Sequence, residues 1–218
     1  MYSKLWEHYS KKTYDRVENP EEEELEDMLV MRMNHIPTTC RSILDAGCSV
    51  GWTTNWLRQN RDAIAWGITY NPADVKEATR RGFRGFVFEG DVHDLHMFES
   101  EKFDCVFCSH VLEHVLAPHV VLCEFNRLLC QDGSLILILP DEHWKQSYKN
   151  PAHVNWWDPD QLIFFVQTRG FRLIDSWQEA TNVRTKYGAR GNDVGMYFEK
   201  AKAYEGIVDD SFGSYKCL

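Results

Sequence analysis

From Ser42 to Trp177 short apolar runs alternate with stretches in which apolar residues recur every three to four positions. The runs read as β-strands over Ser42–Asp45, Ile64–Thr69, Gly85–Glu89, Phe103–Ser109 and Ser134–Leu139. The stretches between them read as helices. One starts at Gly51 with Trp52 and Trp56 on one face, and one runs from Pro72, capped by Asn71, to a stop at Gly82. A third carries Val121, Leu122, Phe125, Leu128 and Leu129 on its apolar stripe; a fourth starts at Asp158 and Pro159 and ends at Gly170, with Arg169 facing the negative helix end. Strand and helix in alternation specify a parallel sheet covered on both faces. After Gly170 the order breaks: Phe171–Trp177 and Val194–Glu199 have no helix between them, so they pair antiparallel at one edge. The expected fold class is therefore α/β, a mixed seven-stranded sheet, mostly parallel with an antiparallel strand at one edge and helices on both faces.

Ahead of the first strand, Asn19 is placed to cap a helix, Pro20 suits its first turn, and Glu21 to Glu24 favour its positive end. Leu25, Met28, Leu29 and Arg32 follow at helical spacing, so the acidic run is a solvated helix start. The expected organisation is an N-terminal helical extension or lid over 1–37, one domain over 38–200 and a tail over 201–218.

A chain of 218 residues with 44% apolar content buries a core as one domain with modest extensions. A formal net charge of −9 argues against gripping a phosphate backbone by charge, which favours a small-molecule partner over nucleic acid. The stretch NVRTKYGARGN gathers Arg184, Lys186 and Arg190, a solvated basic loop before it is an anion site. Seven cysteines fall largely in apolar segments; Cys105 and Cys108 have C-x-x-C spacing but sit inside a strand without a second pair. That usage predicts core thiols in a reducing compartment, with neither zinc nor disulfides. No apolar run reaches about 18 residues and the first residues lack an apolar signal core, so the expectation is a cytoplasmic protein without a membrane span.

The first strand runs into LDAGCSVG, residues 44–51. Ligands of open α/β sheets lie beyond the carboxyl ends of the central strands. Gly47 lets the backbone turn and approach a ligand, and Gly51 opens the next helix without a side chain in the way. The spacing is not the G-x-G-x-x-G of dinucleotide enzymes. Asp45 stands two residues before the first glycine, where a carboxylate meets a cation or a donor, which suggests a positively charged ligand.

Together with EGDVHDL and FDCVFCSHVLEHV downstream, this loop resembles the class I S-adenosylmethionine-dependent methyltransferases, in order and spacing over roughly Ser42 to Trp177. The resemblance implies the Rossmann-like fold of that superfamily, S-adenosyl-L-methionine as cofactor, and a reversed strand pair at the end. It places Asp45, Gly47, Cys48 and Gly51 around the methionine end of the cofactor, Asp91 and Val92 at the adenine, and Ser109 and His110 along the sulfonium region. Two positions depart from the pattern. Ser49 replaces a middle glycine where a small residue suffices. Thr69, in WGITYNP, stands where relatives commonly carry an acid that takes both ribose hydroxyls, so Thr69, Tyr70 and Asn71 are the candidates for the ribose.

Methyl transfer from a sulfonium is an in-line displacement for which the protein aligns the reactants and excludes water, with a base only where the acceptor must lose a proton. His110 and His114 follow the fourth strand, and His143 and His153 lie in the long connection after the fifth; His110, His114 and His153 are the candidate catalytic groups. Each has a plainer use in packing or loop positioning. Trp156 and Trp157 offer an aromatic wall or core packing, and Tyr9 and Tyr14 a lid or a polar helix. His110, Glu113 and His114 form H-V-L-E-H, similar to the E-x-x-E-H with which small-RNA 3′-end methyltransferases and some quinone-biosynthesis O-methyltransferases hold a divalent ion, a later histidine joining in the former. His153 is the matching later residue, and His110 in place of glutamate favours zinc, iron or cobalt over magnesium. Because L-E-H recurs in methyltransferases that bind no metal, the metal-free reading is preferred. The sequence thus points to a methyltransferase acting at oxygen or nitrogen of a small molecule, ahead of a nucleic-acid methyltransferase or a non-catalytic cofactor-binding module.

Overall fold

The computed structural model describes residues 30–141, 152–184 and 190–201, with side chains throughout these ranges except at 179–184 and 190–192. Eleven elements follow in the order β1 (Ser42–Ala46), α1 (Trp52–Asn60), β2 (Ile64–Thr69), α2 (Pro72–Arg80), β3 (Val87–Glu89), β4 (Phe103–Ser109), α3 (Pro118–Leu128), β5 (Leu129–Pro140), α4 (Pro159–Gln167), β6 (Phe171–Arg184) and β7 (Arg190–Lys200). The strands form one seven-stranded sheet in the order β3-β2-β1-β4-β5-β7-β6. β3, β2, β1, β4 and β5 are parallel, and β7 pairs antiparallel with both β5 and β6. The reversed strand is β7, inserted beside β5, so that β6 forms the edge.

Alternation along the strands divides the core between the two faces of the sheet. Leu44, Ala46, Val106, Cys108, Leu135 and Leu137 pack with Val121, Leu122, Phe125 and Leu128 of α3 and Leu162 and Val166 of α4. Ile43, Cys105, Phe107, Ile136 and Ile138 face the other way, with Leu57 of α1 and with Met33 and Ile36 ahead of β1. Cys105 and Cys108 thus lie on opposite faces, which excludes a shared metal despite their C-x-x-C spacing. Cys40, Cys48, Cys105, Cys108 and Cys130 are free, whereas Cys123 is disulfide-bonded, a correction to the expectation of unpaired thiols. Cys123 is only half-buried on α3, next to the buried stripe and not on it.

Local signals set the helix starts. Asn71 caps α2 by accepting from the Ala73 N–H (3.1 Å), Asp158 caps α4 by accepting from the Asp160 and Gln161 N–H groups, and proline opens both helices. Two boundaries shift. The fifth strand begins at Leu129, not Ser134: Asp132 takes a positive φ of 61° and the β4–β5 register slips between Phe103 and Cys105, so the Asp-Gly step is absorbed as an irregularity within the strand. The third begins at Val87, after the left-handed Gly85. Of the helix expected from Asn19, only residues 30–33 are described, and they are helical. Tyr9, Tyr14, His143, Lys186 and the tail beyond 201 lie outside the described residues, as do the side chains of Arg184 and Arg190. No helix among the described residues is long and apolar enough to cross a membrane.

Candidate functional site

β1 has β2 on one side and β4 on the other, so the crossover direction reverses between β1 and β4 and opens a crevice at their carboxyl ends. The 44–51 loop fills that position. Its turn is held from β2: the Gly47 and Cys48 N–H groups both donate to the Ile68 carbonyl, at 2.8 and 2.9 Å. Gly47 has φ 86°, and a Cβ there would stand 2.2 Å from Val111 Cγ2; Gly51 has φ 87°, with Val87 Cγ2 at 2.5 Å. Both conformation and space therefore demand glycine. Asp45 is buried at 3% exposure and accepts from Thr54 Oγ1 at 2.6 Å. Burial pushes its carboxyl up to about 7 against the opposing pull of that hydrogen bond. Cys48 is also buried, and burial holds its thiol well above the ordinary range.

The ends of β2 and β3 continue the crevice. The Thr69 hydroxyl donates to Asp74 Oδ2 at 2.9 Å, and Tyr70 beside it is exposed. Asp91 is bound by its own loop: its Oδ1 accepts from the His93 backbone N–H (2.9 Å) and meets His93 Nδ1 at 2.6 Å. His93 Nε2 accepts from the Ala117 N–H (3.3 Å), so Nδ1 carries the ring proton and the chain Asp91–His93–Ala117 ties this loop to the start of α3. The hydrogen bonds from His93 hold the Asp91 carboxyl below its usual range, ionised at neutral pH. Val92 packs against the core beside it.

The residues after β4 separate into two groups. His110, at φ 55°, turns toward β7, where its Nε2 lies 3.1 Å from Asp193 Oδ2 and its Nδ1 3.4 Å from Glu113 Oε1. Arg32 Nη2 donates to the same Asp193 oxygen at 2.9 Å. Burial disfavours the His110 imidazolium, but the Asp193 and Glu113 carboxylates outweigh it and raise the ring to about 9. That shift favours the imidazolium at neutral pH, which argues against a role as base, although Arg32 Nη2 also lies 3.1 Å from His110 Nε2. The second group is Glu113, His114 and His153, whose ligand atoms all lie within 4.8 Å of one another. Their convergence is built by hydrogen bonds between residues 112–115 and 152–155. The Val154 and Asn155 N–H groups donate to the Glu113 carbonyl, Asn155 Nδ2 donates to the Leu112 and Val115 carbonyls (2.9 and 2.6 Å), and His114 Nδ1 donates to the Ala152 carbonyl at 2.9 Å. That last bond turns His114 Nε2 toward Glu113. Glu113 is 1% exposed, and neither of its side-chain oxygens has a hydrogen-bond partner among the described residues. Burial would raise its carboxyl, yet the imidazoles of His110 and His114 hold it below the usual range.

Residues 44–137 match the family model described as a methyltransferase domain. Over those residues the chain is similar to the class I S-adenosylmethionine-dependent methyltransferases. A ubiquinone biosynthesis O-methyltransferase of Haemophilus ducreyi is 32% identical over 120 residues, which cover 49% of this chain and 50% of that protein. The chain thus spans about half the length of the curated relative it matches. Solved structures repeat the fold. An S-adenosylmethionine-dependent methyltransferase from Archaeoglobus fulgidus superposes with a TM-score of 0.65 at 19% identity, over 80% of this chain and 94% of that one. The 4+2 cyclase SpnF superposes with a TM-score of 0.65 at 17% identity, over 85% and 86% of the two chains.

The crevice fits S-adenosyl-L-methionine, the cofactor of the methyltransferases it resembles, on two observations. The glycine loop leaves no room for a side chain, and a buried carboxyl stands where a cation would relieve its cost. Ser109, at the end of β4, holds a buried hydroxyl without a hydrogen-bond partner among the described residues. Trp156 and Trp157 part company: Trp156 is 58% exposed, while Trp157 packs against the core with its ring 5.2 Å from Phe165. Sequence reasoning missed Thr54, Asp74, Asn155 and Asp193. The first two sit at ordinary helical positions, and the last two act through partners that no local motif names.

Proposed function

We propose that this domain binds S-adenosylmethionine in the crevice beyond β1 and β4 and transfers its methyl group to an oxygen or nitrogen of a small-molecule acceptor. The observation that carries the reading is the glycine loop closed over a buried Asp45 at the point where the strand order reverses. In this reading Asp45, Gly47, Cys48 and Gly51 hold the methionine end, Thr69 and Tyr70 the ribose, and Asp91 with Val92 the adenine. Ser109 and His110 line the sulfonium region, with His110 as a charged positioning group. His114 and His153 face the acceptor. The relative's action as an O-methyltransferase supports oxygen as the methylated atom. A cytoplasmic location is supported by the free thiols of Cys40, Cys48, Cys105, Cys108 and Cys130 and opposed by the bond at Cys123. Residues 38–200 form the catalytic unit.

Glu113, His114 and His153 also fit a divalent ion. A buried carboxylate without a hydrogen-bond partner among the described residues and two imidazoles on one point form a nitrogen-rich donor set, suited to zinc, iron or cobalt. Such an ion supplies Lewis acidity that lowers the pKa of an acceptor hydroxyl. A screen of acceptors with labelled methyl donor, beside a control without acceptor, tests the function: label in a small molecule supports it, and no transfer to any hydroxyl or amine acceptor overturns it.

Two further outcomes are expected. A cationic cofactor binds the ionised form of Asp45, which burial holds protonated until about pH 7. Affinity for S-adenosylmethionine therefore rises with pH up to about 7 and levels off above it, falling by as much as about tenfold per pH unit below. Calorimetry from roughly pH 5.5 to 8.5 reads this slope, and Asp45→Asn flattens it. A steep slope retained in that variant means that another group titrates. Asp91→Ala weakens cofactor binding by about 1 to 3 kcal/mol if the carboxylate accepts from the adenine amine. Unchanged affinity assigns the base to another residue.

A further inference from the structure

The end of β2 lacks the acid that holds the ribose in relatives, but a carboxylate reaches it from elsewhere. Asp74, in the first turn of α2, is 3% exposed and turns back toward the strand. Its Oδ2 accepts the Thr69 hydroxyl at 2.9 Å and its Oδ1 accepts from Asn71 Nδ2 at 3.2 Å. Capping does not account for this arrangement, because Asn71 already caps α2 through the Ala73 N–H. We propose that Asp74 is the ribose-positioning residue of this domain and acts through Thr69. The proposal rests on the cofactor reading above.

The chemistry follows from proton count. A threonine hydroxyl has one proton and two lone pairs. Thr69 gives its proton to Asp74 and uses one lone pair to accept from the Asn71 N–H at 3.3 Å. The hydroxyl is thereby fixed as an acceptor, its remaining lone pair available to one ligand hydroxyl and polarised by the carboxylate behind it. An acid on the strand would accept from both ribose hydroxyls; a carboxylate acting through a single hydroxyl accepts from one.

Position identifies that ligand hydroxyl as a ribose group. On one side of Thr69, the preceding Ile68 carbonyl takes the Gly47 and Cys48 N–H groups of the loop assigned to the methionine end. On the other, the Thr69 carbonyl accepts from the Gly90 N–H at 2.9 Å, next to Asp91, assigned to the adenine. Thr69 stands between the two, as the ribose stands between methionine and adenine.

Calorimetric titration of the purified full chain with S-adenosylhomocysteine and its 2′-deoxy and 3′-deoxy forms tests the proposal without turnover. In the wild type one deoxy form binds about tenfold or more weakly than the parent and the other within about threefold, the loss expected for one strong acceptor. Asp74→Asn, which offers Thr69 one carbonyl oxygen in place of a carboxylate, and Thr69→Val both reduce that discrimination to about threefold or less, while Thr69→Ser retains it. Full discrimination in folded Asp74→Asn and Thr69→Val, or equal losses for both deoxy forms in the wild type, overturns the assignment of Asp74 alone. No binding of the parent nucleoside by the wild type overturns the cofactor reading and this proposal with it.

Discussion

Gly47→Val eliminates measurable S-adenosylmethionine binding while the far-ultraviolet spectrum and cooperative unfolding persist. The residue sits at φ 86°, a conformation that β-branched side chains resist, and its missing Cβ leaves space that Val111 Cγ2 approaches to 2.2 Å. The strain is on the order of 1–3 kcal/mol, which a domain with two faces of buried core tolerates. The binding loss is far larger. The two isopropyl groups compete for the place where the backbone meets the ligand, and the Gly47 and Cys48 N–H groups lose their shared anchor on Ile68. Titration calorimetry on the folded variant is the check, and wild-type affinity there removes the cofactor from this crevice.

If Glu113, His114 and His153 hold a divalent ion, protein purified without chelator carries about one such ion per chain, and EDTA abolishes turnover. Glu113→Gln loses the ion and lowers turnover by at least about a hundredfold, since removing a ligand costs more than removing a group that merely orients one. The structure sharpens this expectation at His110. In H-V-L-E-H it is spaced as a fourth ligand, yet its Nε2 is held 3.1 Å from Asp193 Oδ2, and as an imidazolium it offers no lone pair at neutral pH. His110→Gln therefore retains the ion, whereas His153→Ala loses it. Elemental analysis of the three variants decides the ligand set. If the wild type contains no metal and EDTA leaves turnover unchanged, His114 and His153 revert to bases or positioning groups.

The fate of this motif shows where local reading stops. Spacing along one turn brought His110, Glu113 and His114 together on paper, because sequence periodicity reports which residues share a stretch of chain. It does not report which of several partners wins. Asp193, 83 residues further on, captures His110, and Asn155 pins residues 152–155 to the carbonyls of Leu112 and Val115, delivering His153. Thr69 is similar. Its departure from the family pattern was visible in the sequence, but not the Asp74 carboxylate behind it, since an aspartate in the first turn of a helix reads as an ordinary dipole partner.

What the sequence determined by itself is the part governed by short-range physics. Gly47 foretold a tight turn, Asn71–Pro72 and Asp158–Pro159 foretold helix starts, and apolar runs separated by amphipathic stretches foretold a parallel sheet with two covered faces. Each signal acts within a few residues, through φ preferences, capping hydrogen bonds or the period of a single element. The tertiary structure alone decided that β7 enters between β5 and β6, that Asp132 is absorbed within β5, and that the histidines divide between an ion pair and a convergent triad. Those outcomes depend on groups far apart in sequence competing for the same buried space. In a close-packed, low-dielectric interior a charge must find its partner wherever the fold has placed it.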